Sequence, residues 1–118
     1  MTPVDLKKRT KEFAMRIVRL TQTLEDNWIS RTMGHQLLRS GTSVGANYRA
    51  ASRARSPAEF RSKMGIVLEE ADETAYWMEL LIDSQIVKAE KLKPLLQEAN
   101  ELVTISVASI NTSRRNSK

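Results

Sequence analysis

The chain has 118 residues, of which 41% are hydrophobic and 28% are charged, and this balance is typical of one globular domain. It contains no cysteine, which excludes a disulfide framework, a Cys-based zinc site and thiol chemistry. The apolar runs are too short to span a bilayer, and the first ten residues, MTPVDLKKRT, lack the apolar core of a signal peptide. We therefore expect a cytoplasmic location.

The net charge of +5 is unevenly distributed along the chain. Residues 1–63 hold 13 Lys and Arg against 5 Asp and Glu, a net charge of +8, whereas residues 64–118 hold 6 against 9, a net charge of −3. Two interpretations remain open. The two halves attract each other within one fold and between copies, or the basic half also binds a polyanion.

We predict a first helix over residues 4–24. Its core stripe recurs at steps of four and three residues and comprises Leu6, Thr10, Phe13, Ile17, Leu20 and Leu24. Basic residues occupy much of the remaining helix surface.

The second predicted helix covers residues 30–55, with Ser30 as its N-cap. Its core stripe comprises Met33, Leu37, Gly41, Val44, Tyr48 and Ala51. A neighbouring stripe of small and polar residues comprises Gln36, Ser40, Ser43, Asn47, Ala50 and Ala54. Gly41 and Gly45 each cost about 1 kcal/mol of helix stability relative to alanine, which predicts a close helix–helix approach or a kink near Gly41. Close packing is favoured because the core stripe continues in phase on both sides.

The third predicted helix covers residues 57–85. Ser56 is the predicted N-cap, Pro57 takes the first helical position, and Glu59 completes a capping box. The core stripe comprises Phe60, Met64, Val67, Ala71, Thr74, Met78 and Leu81. A flanking stripe comprises Ile66, Glu70, Glu73, Trp77 and Leu80.

The fourth predicted helix covers residues 89–111, and the basic tail over residues 112–118 is expected to fray. Its core stripe comprises Leu92, Leu95, Ala99, Leu102, Ser106 and Ile110, widened by Leu96, Val103 and Val107. Four helices of this length joined by short connections predict a single all-α domain, an antiparallel up-down-up-down four-helix bundle.

Two blocks of sequence, RSGTSVGANYR at residues 39–49 and EEADETAYWMELL at residues 69–81, resemble one family of small bacterial proteins. These proteins are encoded in intervening sequences of 23S ribosomal RNA genes. The resemblance covers residues 11–110 and implies a four-helix bundle that associates as rings of five. A related branch looks like the accessory bundle proteins of diversity-generating retroelements, which are pentameric and basic and partner a reverse transcriptase.

The chain departs from the family pattern at one position within this region. The family usually has glutamate directly after the residues that match Tyr48 and Arg49, where this chain has Ala50. If that glutamate serves an inter-helix salt bridge or a ligand contact, this chain lacks it.

Residues that carry catalysis or bind metals are sparse. The chain has a single histidine, His35. In the Glu-x-x-His motif of di-iron bundles an acid stands three residues before the histidine, but this chain has Thr32 there, so the motif is absent. No phosphate-binding loop or nucleophile motif is present. The carboxylates of the third helix are expected to face solvent or arginines of the second helix, rather than a cation; they are Glu69, Glu70, Asp72, Glu73, Glu79 and Asp83. We therefore expect no enzyme activity, cofactor or metal.

Two candidate surfaces remain. Basic residues of the first helix and of the junction between the second and third helices are expected to bind the backbone of RNA or DNA with little sequence preference; they are Lys7, Lys8, Lys11, Arg16, Arg49, Arg53 and Arg55. The small-residue stripe and the aromatic pair of the third helix are expected to form an interface between copies, through Ser43, Asn47, Tyr76 and Trp77. We predict a homo-oligomer, with five subunits as the family resemblance implies, that acts as an RNA-associated binding or scaffold module. The alternative is a protein-binding or self-assembling module without a nucleic-acid partner.

Overall fold

The computed structural model describes residues 2–116 as four α-helices, and no β-strand occurs among those residues. The helices are α1 (Pro3–Gln22), α2 (Trp28–Ser52), α3 (Pro57–Asp83) and α4 (Ala89–Asn116). They form an elongated body of 51 × 20 × 20 Å, in which each helix packs against the next one along the chain. The fold is therefore all-α, as the sequence predicts.

The first two helices begin at capping side chains that the sequence analysis did not identify. The Thr2 hydroxyl accepts a hydrogen bond from the Asp5 N–H, and the Asp5 carboxylate accepts one from the Thr2 N–H, which completes a capping box. The Asn27 side chain caps α2 by accepting from the Ser30 N–H at 2.9 Å. The predicted Ser30 cap is wrong, because asparagine caps as well as serine and Ser30 is buried within the first turn.

The third helix begins at Ser56 and Pro57, as predicted. The Ser56 hydroxyl accepts from the Glu59 N–H at 3.0 Å, which is the expected first half of a capping box. The Glu59 carboxylate, however, accepts from the Arg55 N–H at 3.4 Å rather than from Ser56. The second bond of the capping box therefore comes from the N–H of Arg55, one residue before the N-cap Ser56.

The fourth helix is longer than predicted. It continues to Asn116, so the prediction of a frayed tail is wrong for residues 112–116. Arg61 of α3 donates to the hydroxyl and the carbonyl of Ser113, at 3.2 and 3.5 Å, and this contact holds the last turns of α4 against α3. Residues 117 and 118, also placed in that tail, lie outside the described residues.

The predicted core stripes meet in one core. Every stripe residue is buried or half-buried except Val107, which is 41% exposed. Val107 directly follows the buried Ser106 and is therefore turned by about 100° away from it around the helix. Inside the core, the Thr74 hydroxyl donates to the Ser40 hydroxyl at 2.9 Å, which satisfies two buried polar groups and links α3 to α2.

The glycines of α2 allow a close approach to α1. A Cβ atom added at Gly41 would lie 2.8 Å from the Ile17 side chain, and one added at Gly45 would lie 3.3 Å from the Thr10 carbonyl oxygen. The helix runs without interruption through both positions. The close packing predicted for this pair is therefore confirmed.

Candidate nucleic-acid interface

One end of the elongated molecule collects most of the positive charge. The Tyr48 hydroxyl, near the end of α2, donates to the Pro3 carbonyl at the start of α1 at 3.3 Å. The contact between Arg61 and Ser113 likewise joins the start of α3 to the end of α4. Residues 2–11, 49–63 and 105–116, here called the basic end, hold 11 Lys and Arg against 2 Asp and Glu, a net charge of +9.

Six of the seven predicted nucleic-acid-binding residues belong to the basic end, and all six are exposed: Lys7, Lys8, Lys11, Arg49, Arg53 and Arg55. The contact between Gly45 and Thr10 explains how α1 and α2 bring them together. Lys7 lies about one turn from Thr10, and Arg49 lies about one turn from Gly45, both towards the same end of the molecule. The two side chains therefore extend from neighbouring turns of adjacent helices.

Arg16 is not part of this cluster. It lies further along α1, where it lines a separate groove of about 280 Å³ with Arg19, Lys91 and Pro94. Arg16 was predicted to act with Lys7, Lys8 and Lys11 because all four lie on the first helix. Arg16, however, lies more than one helical turn beyond Lys11 along α1.

Ion pairing divides the cations of the basic end into two groups. Arg9 donates to Glu98 at 2.6 Å and to Glu101 at 2.9 Å, and the Glu98 carboxylate raises the pKa of the Arg9 guanidinium above its ordinary value. Arg9 is thus engaged within the molecule. None of the six exposed cations forms an ion pair with a carboxylate of residues 2–116. They can therefore bind an external anion without first breaking an internal ion pair.

Two arginines of this surface were not among the predicted binding residues. Arg114 and Arg115 lie in the last turn of α4 and are exposed at the basic end. Both belong to the segment that was predicted to fray, and a frayed tail has no fixed position relative to α1 and α3. The short connections between helices could have indicated this position, because they make consecutive helices antiparallel and so place the end of α4 beside the start of α3.

A groove opens at the basic end between the start of α1 and the end of α4. Its volume is about 860 Å³, and its apolar wall is formed by Leu6, Tyr48, Ala51, Phe60 and Ile105. Burial raises the pKa of the Tyr48 phenol, whose hydroxyl is held by the Pro3 carbonyl. Phe60 packs against the core, as its place in the predicted core stripe requires, and its half-exposed side forms part of this wall.

Three of the four predicted interface residues, Ser43, Asn47 and Trp77, belong to one hydrogen-bonded network along α2 and α3. Asn47 donates to the Ser43 carbonyl and Ser43 donates to the Arg39 carbonyl, at 2.9 and 2.7 Å. The Arg39 guanidinium donates to the carboxylates of Glu70 and Glu73. This pairing confirms that acids of the third helix face an arginine of the second.

The aromatic pair of α3, Tyr76 and Trp77, lies beside this hydrogen-bonded network. The Trp77 indole N–H donates to Glu73 at 3.0 Å and, with Arg39, lowers the pKa of that carboxyl. Trp77 is half-buried against the core, whereas Tyr76 is 56% exposed and contacts the Trp77 ring edge to face at 5.2 Å. The structure thus separates the pair into one packed and one exposed ring.

No candidate metal site was found among the described residues. Residues 2–116 contain no group of three or more His, Cys, Asp or Glu side chains arranged to hold a metal ion. His35 is exposed on α2. No helix within the described part of the chain is long and apolar enough to cross a membrane.

Comparisons with known proteins agree with the sequence resemblance. The family model described as 23S rRNA-intervening sequence protein matches residues 3–108. A crystal structure of a protein of unknown function from the S23 ribosomal protein family of Bacteroides thetaiotaomicron superposes with a TM-score of 0.84 at 40% sequence identity, covering 89% of this chain and 97% of that chain. No curated protein matches the sequence. On the extent of the match and the shared four-helix fold, the chain belongs to the 23S rRNA-intervening sequence protein family.

Proposed function

We propose that this protein is a non-enzymatic binding module whose basic end binds the phosphate backbone of RNA. The observation that carries the proposal is the net charge of +9 at one end of the molecule, together with six exposed cations that form no ion pair within residues 2–116. Clustered lysines and arginines attract phosphates and release the counterions that surround them. The family description refers to an intervening sequence of 23S rRNA, which supports RNA as the first polyanion to test.

The proposal includes an assembly of several antiparallel bundles. The contacts of Tyr48 with Pro3 and of Arg61 with Ser113 support an up-down-up-down order of the helices. The family resemblance favours five subunits, and the surface around Tyr76 and Trp77 is the proposed contact between copies. Each subunit would add its own basic end, so modest individual contacts would sum through avidity. A cytoplasmic location is part of the same proposal.

A second candidate function is a protein-binding or self-assembling module without a nucleic-acid partner. The observation in its favour is the exposure of two large apolar side chains at the start of α2, Trp28 at 70% and Ile29 at 46%. Adjacent exposed apolar side chains often mark a protein interaction site.

The experiment is a titration of the purified protein against a fluorescent single-stranded RNA of about 16 nucleotides, with binding followed by anisotropy at several salt concentrations. If the six exposed cations each neutralise one phosphate, the logarithm of the association constant should fall with the logarithm of the salt concentration, with a slope of about −4. Absence of binding at about 50 mM salt, or a slope near zero, would contradict the proposal and leave the protein-binding candidate.

A further inference from the structure

The proposed phosphate binding leaves most of the lining of the groove at the basic end without a role. Its volume of about 860 Å³ lies within the range of about 300–1,000 Å³ that is usual for small-molecule sites. It exists because α1 contacts α4 much less than it contacts α2, so the two outer helices leave a gap where α1 begins. Two rings, of Tyr48 and Phe60, contribute to its wall.

The polar atoms around this groove select the kind of ligand. Hydroxyl groups line it at all four of the helix ends gathered here and belong to Thr2, Ser52, Ser56, Ser109, Thr112 and Ser113. Arg55 is its charged lining residue, and no Asp or Glu among residues 2–116 lines it. An apolar wall with hydroxyl groups and one guanidinium suits a flat, uncharged group that carries hydrogen-bonding edges and is attached to an anion.

We infer that the groove receives an unpaired base of single-stranded RNA while the neighbouring phosphates lie on Arg49, Arg53 and Arg55. An unstacked base offers an aromatic face to the half-buried ring of Phe60 and polar edges to the hydroxyl groups. A base inside a duplex remains stacked and paired, so it cannot enter the groove. This inference rests on the proposed function and adds to it a preference for single strands.

Charge favours this occupant over a second copy of the chain. The groove lies within the most basic part of the molecule, so docking the same end of another copy would bring two regions of net charge +9 together. A polyanion lowers this repulsion, and its phosphates would lie on cations that form no ion pair within residues 2–116.

The test compares one RNA sequence as a single strand and as a blunt duplex, using two tryptophan variants. Ala108 is exposed and lines the groove, so the indole of Ala108→Trp occupies part of the space for a base without changing charge. Ala46→Trp is the matched control, because Ala46 is also an exposed helical alanine and does not line the groove. The parent should bind the single strand about tenfold more tightly than the duplex, as expected for the stacking of a base on an aromatic ring. Ala108→Trp should remove this preference, whereas Ala46→Trp should keep it.

A second variant tests the aromatic wall itself. Phe60→Leu keeps an apolar side chain of similar size but removes the flat ring, and it should weaken single-strand binding several-fold while leaving duplex binding unchanged.

Several results would overturn the inference while leaving phosphate binding intact. They are equal affinity of the parent for the single strand and the duplex, an unchanged preference in Ala108→Trp, or equal weakening of both ligands by that variant. A change of subunit number in Ala108→Trp, measured by light scattering, would show instead that a second copy occupies the groove. Failure of the parent to bind either RNA would remove the proposed function together with the inference.

Discussion

The two ends of this molecule are built by the same four helices but differ in charge and in exposed surface. The basic end has a net charge of +9, whereas the opposite end, residues 17–34 and 77–95, holds 5 Lys and Arg against 5 Asp and Glu. The two sets of residues have the same total length, so the difference lies in which side chains the helices carry. Packing of the core does not require this asymmetry, because the core stripes run through both ends.

The asymmetry has an energetic cost that indicates a function. Like charges within the basic end repel each other, although salt at about 0.15 M screens those separated by more than about 8 Å. Arg9 reduces the repulsion by pairing with Glu98 and Glu101, but the six exposed cations have no such partner among residues 2–116. At the opposite end, the exposed groups include the apolar side chains of Trp28 and Ile29. The comparison therefore predicts an anionic ligand at one end and an apolar contact at the other.

The largest expected effect is the loss of RNA binding when charge is removed from the basic end only. The triple variant Arg49→Gln, Arg53→Gln, Arg55→Gln should weaken single-stranded RNA binding by about 1,000-fold or more at low salt, because each lost charge-assisted contact is worth about 1.5 kcal/mol or more. Anisotropy titrations measure this change. The salt slope should also become shallower by about 2.

The matched control removes the same charge from the opposite end, through Arg19→Gln, Lys91→Gln and Lys93→Gln. All three side chains are exposed and form no ion pair with residues 2–116. RNA affinity should change by less than about threefold, since most of this charge lies beyond one Debye length of the basic end. If the two triple variants weaken RNA binding equally, net charge alone determines affinity, and the basic end is not the binding surface.

The next largest effect concerns the helix approach that positions the basic end. Gly45→Leu should lower the free energy of unfolding by about 1–3 kcal/mol, because its Cβ would already lie 3.3 Å from the Thr10 carbonyl and the larger side chain separates α1 from α2. Urea denaturation followed by circular dichroism measures the change. Gly65→Ala is the control: beyond the adjacent backbone of its own helix, no atom lies within 4 Å of an added Cβ, so this variant should gain up to about 1 kcal/mol. A Gly45→Leu protein as stable as the parent would show that α1 can move away at no cost.

A smaller effect is expected for association between copies. Tyr76→Ala should weaken self-association by about 2 kcal/mol, or roughly 30-fold, if the exposed ring is an interface anchor. Light scattering over a dilution series measures the subunit number. Trp28→Ala removes the exposed aromatic side chain of the opposite end and should leave it unchanged. The reverse pattern would place the contact between copies around Trp28 instead of around Tyr76.

The smallest effect is the pH dependence of stability near Glu73. Its folded pKa lies below the ordinary value of 4.5, because Trp77 and Arg39 donate to the carboxylate. The stabilisation is therefore present above that value and is lost as the pH falls through the folded pKa. Between about pH 6 and pH 3, the free energy of unfolding of Glu73→Gln should fall less than that of the parent. Glu69→Gln is the control, since Glu69 is exposed and forms no ion pair with residues 2–116, and its pH profile should match that of the parent.

Most of the fold could be predicted from local sequence. The spacing of apolar residues identified all four helices, and Ser56 with Pro57 marked the start of α3, because periodicity and capping depend on residues within a few turns. The remaining boundaries depended on contacts that spacing does not reveal. The cap at Asn27 displaced the expected cap at Ser30, and the bonds between Arg61 and Ser113 extended α4.

By itself, the sequence determined that the chain forms four amphipathic helices and that it carries an excess of cations. It also favoured a close approach of α2 to a neighbouring helix over a kink near Gly41. Only the tertiary structure decided which cations share a surface. It placed Arg114 and Arg115 at the basic end, set Arg16 apart and opened a groove beside Phe60. The physical reason is that charge and burial act through space. Residues a hundred positions apart become neighbours when helices pack, whereas residues on one helix diverge by 1.5 Å of rise and about 100° of rotation at each step.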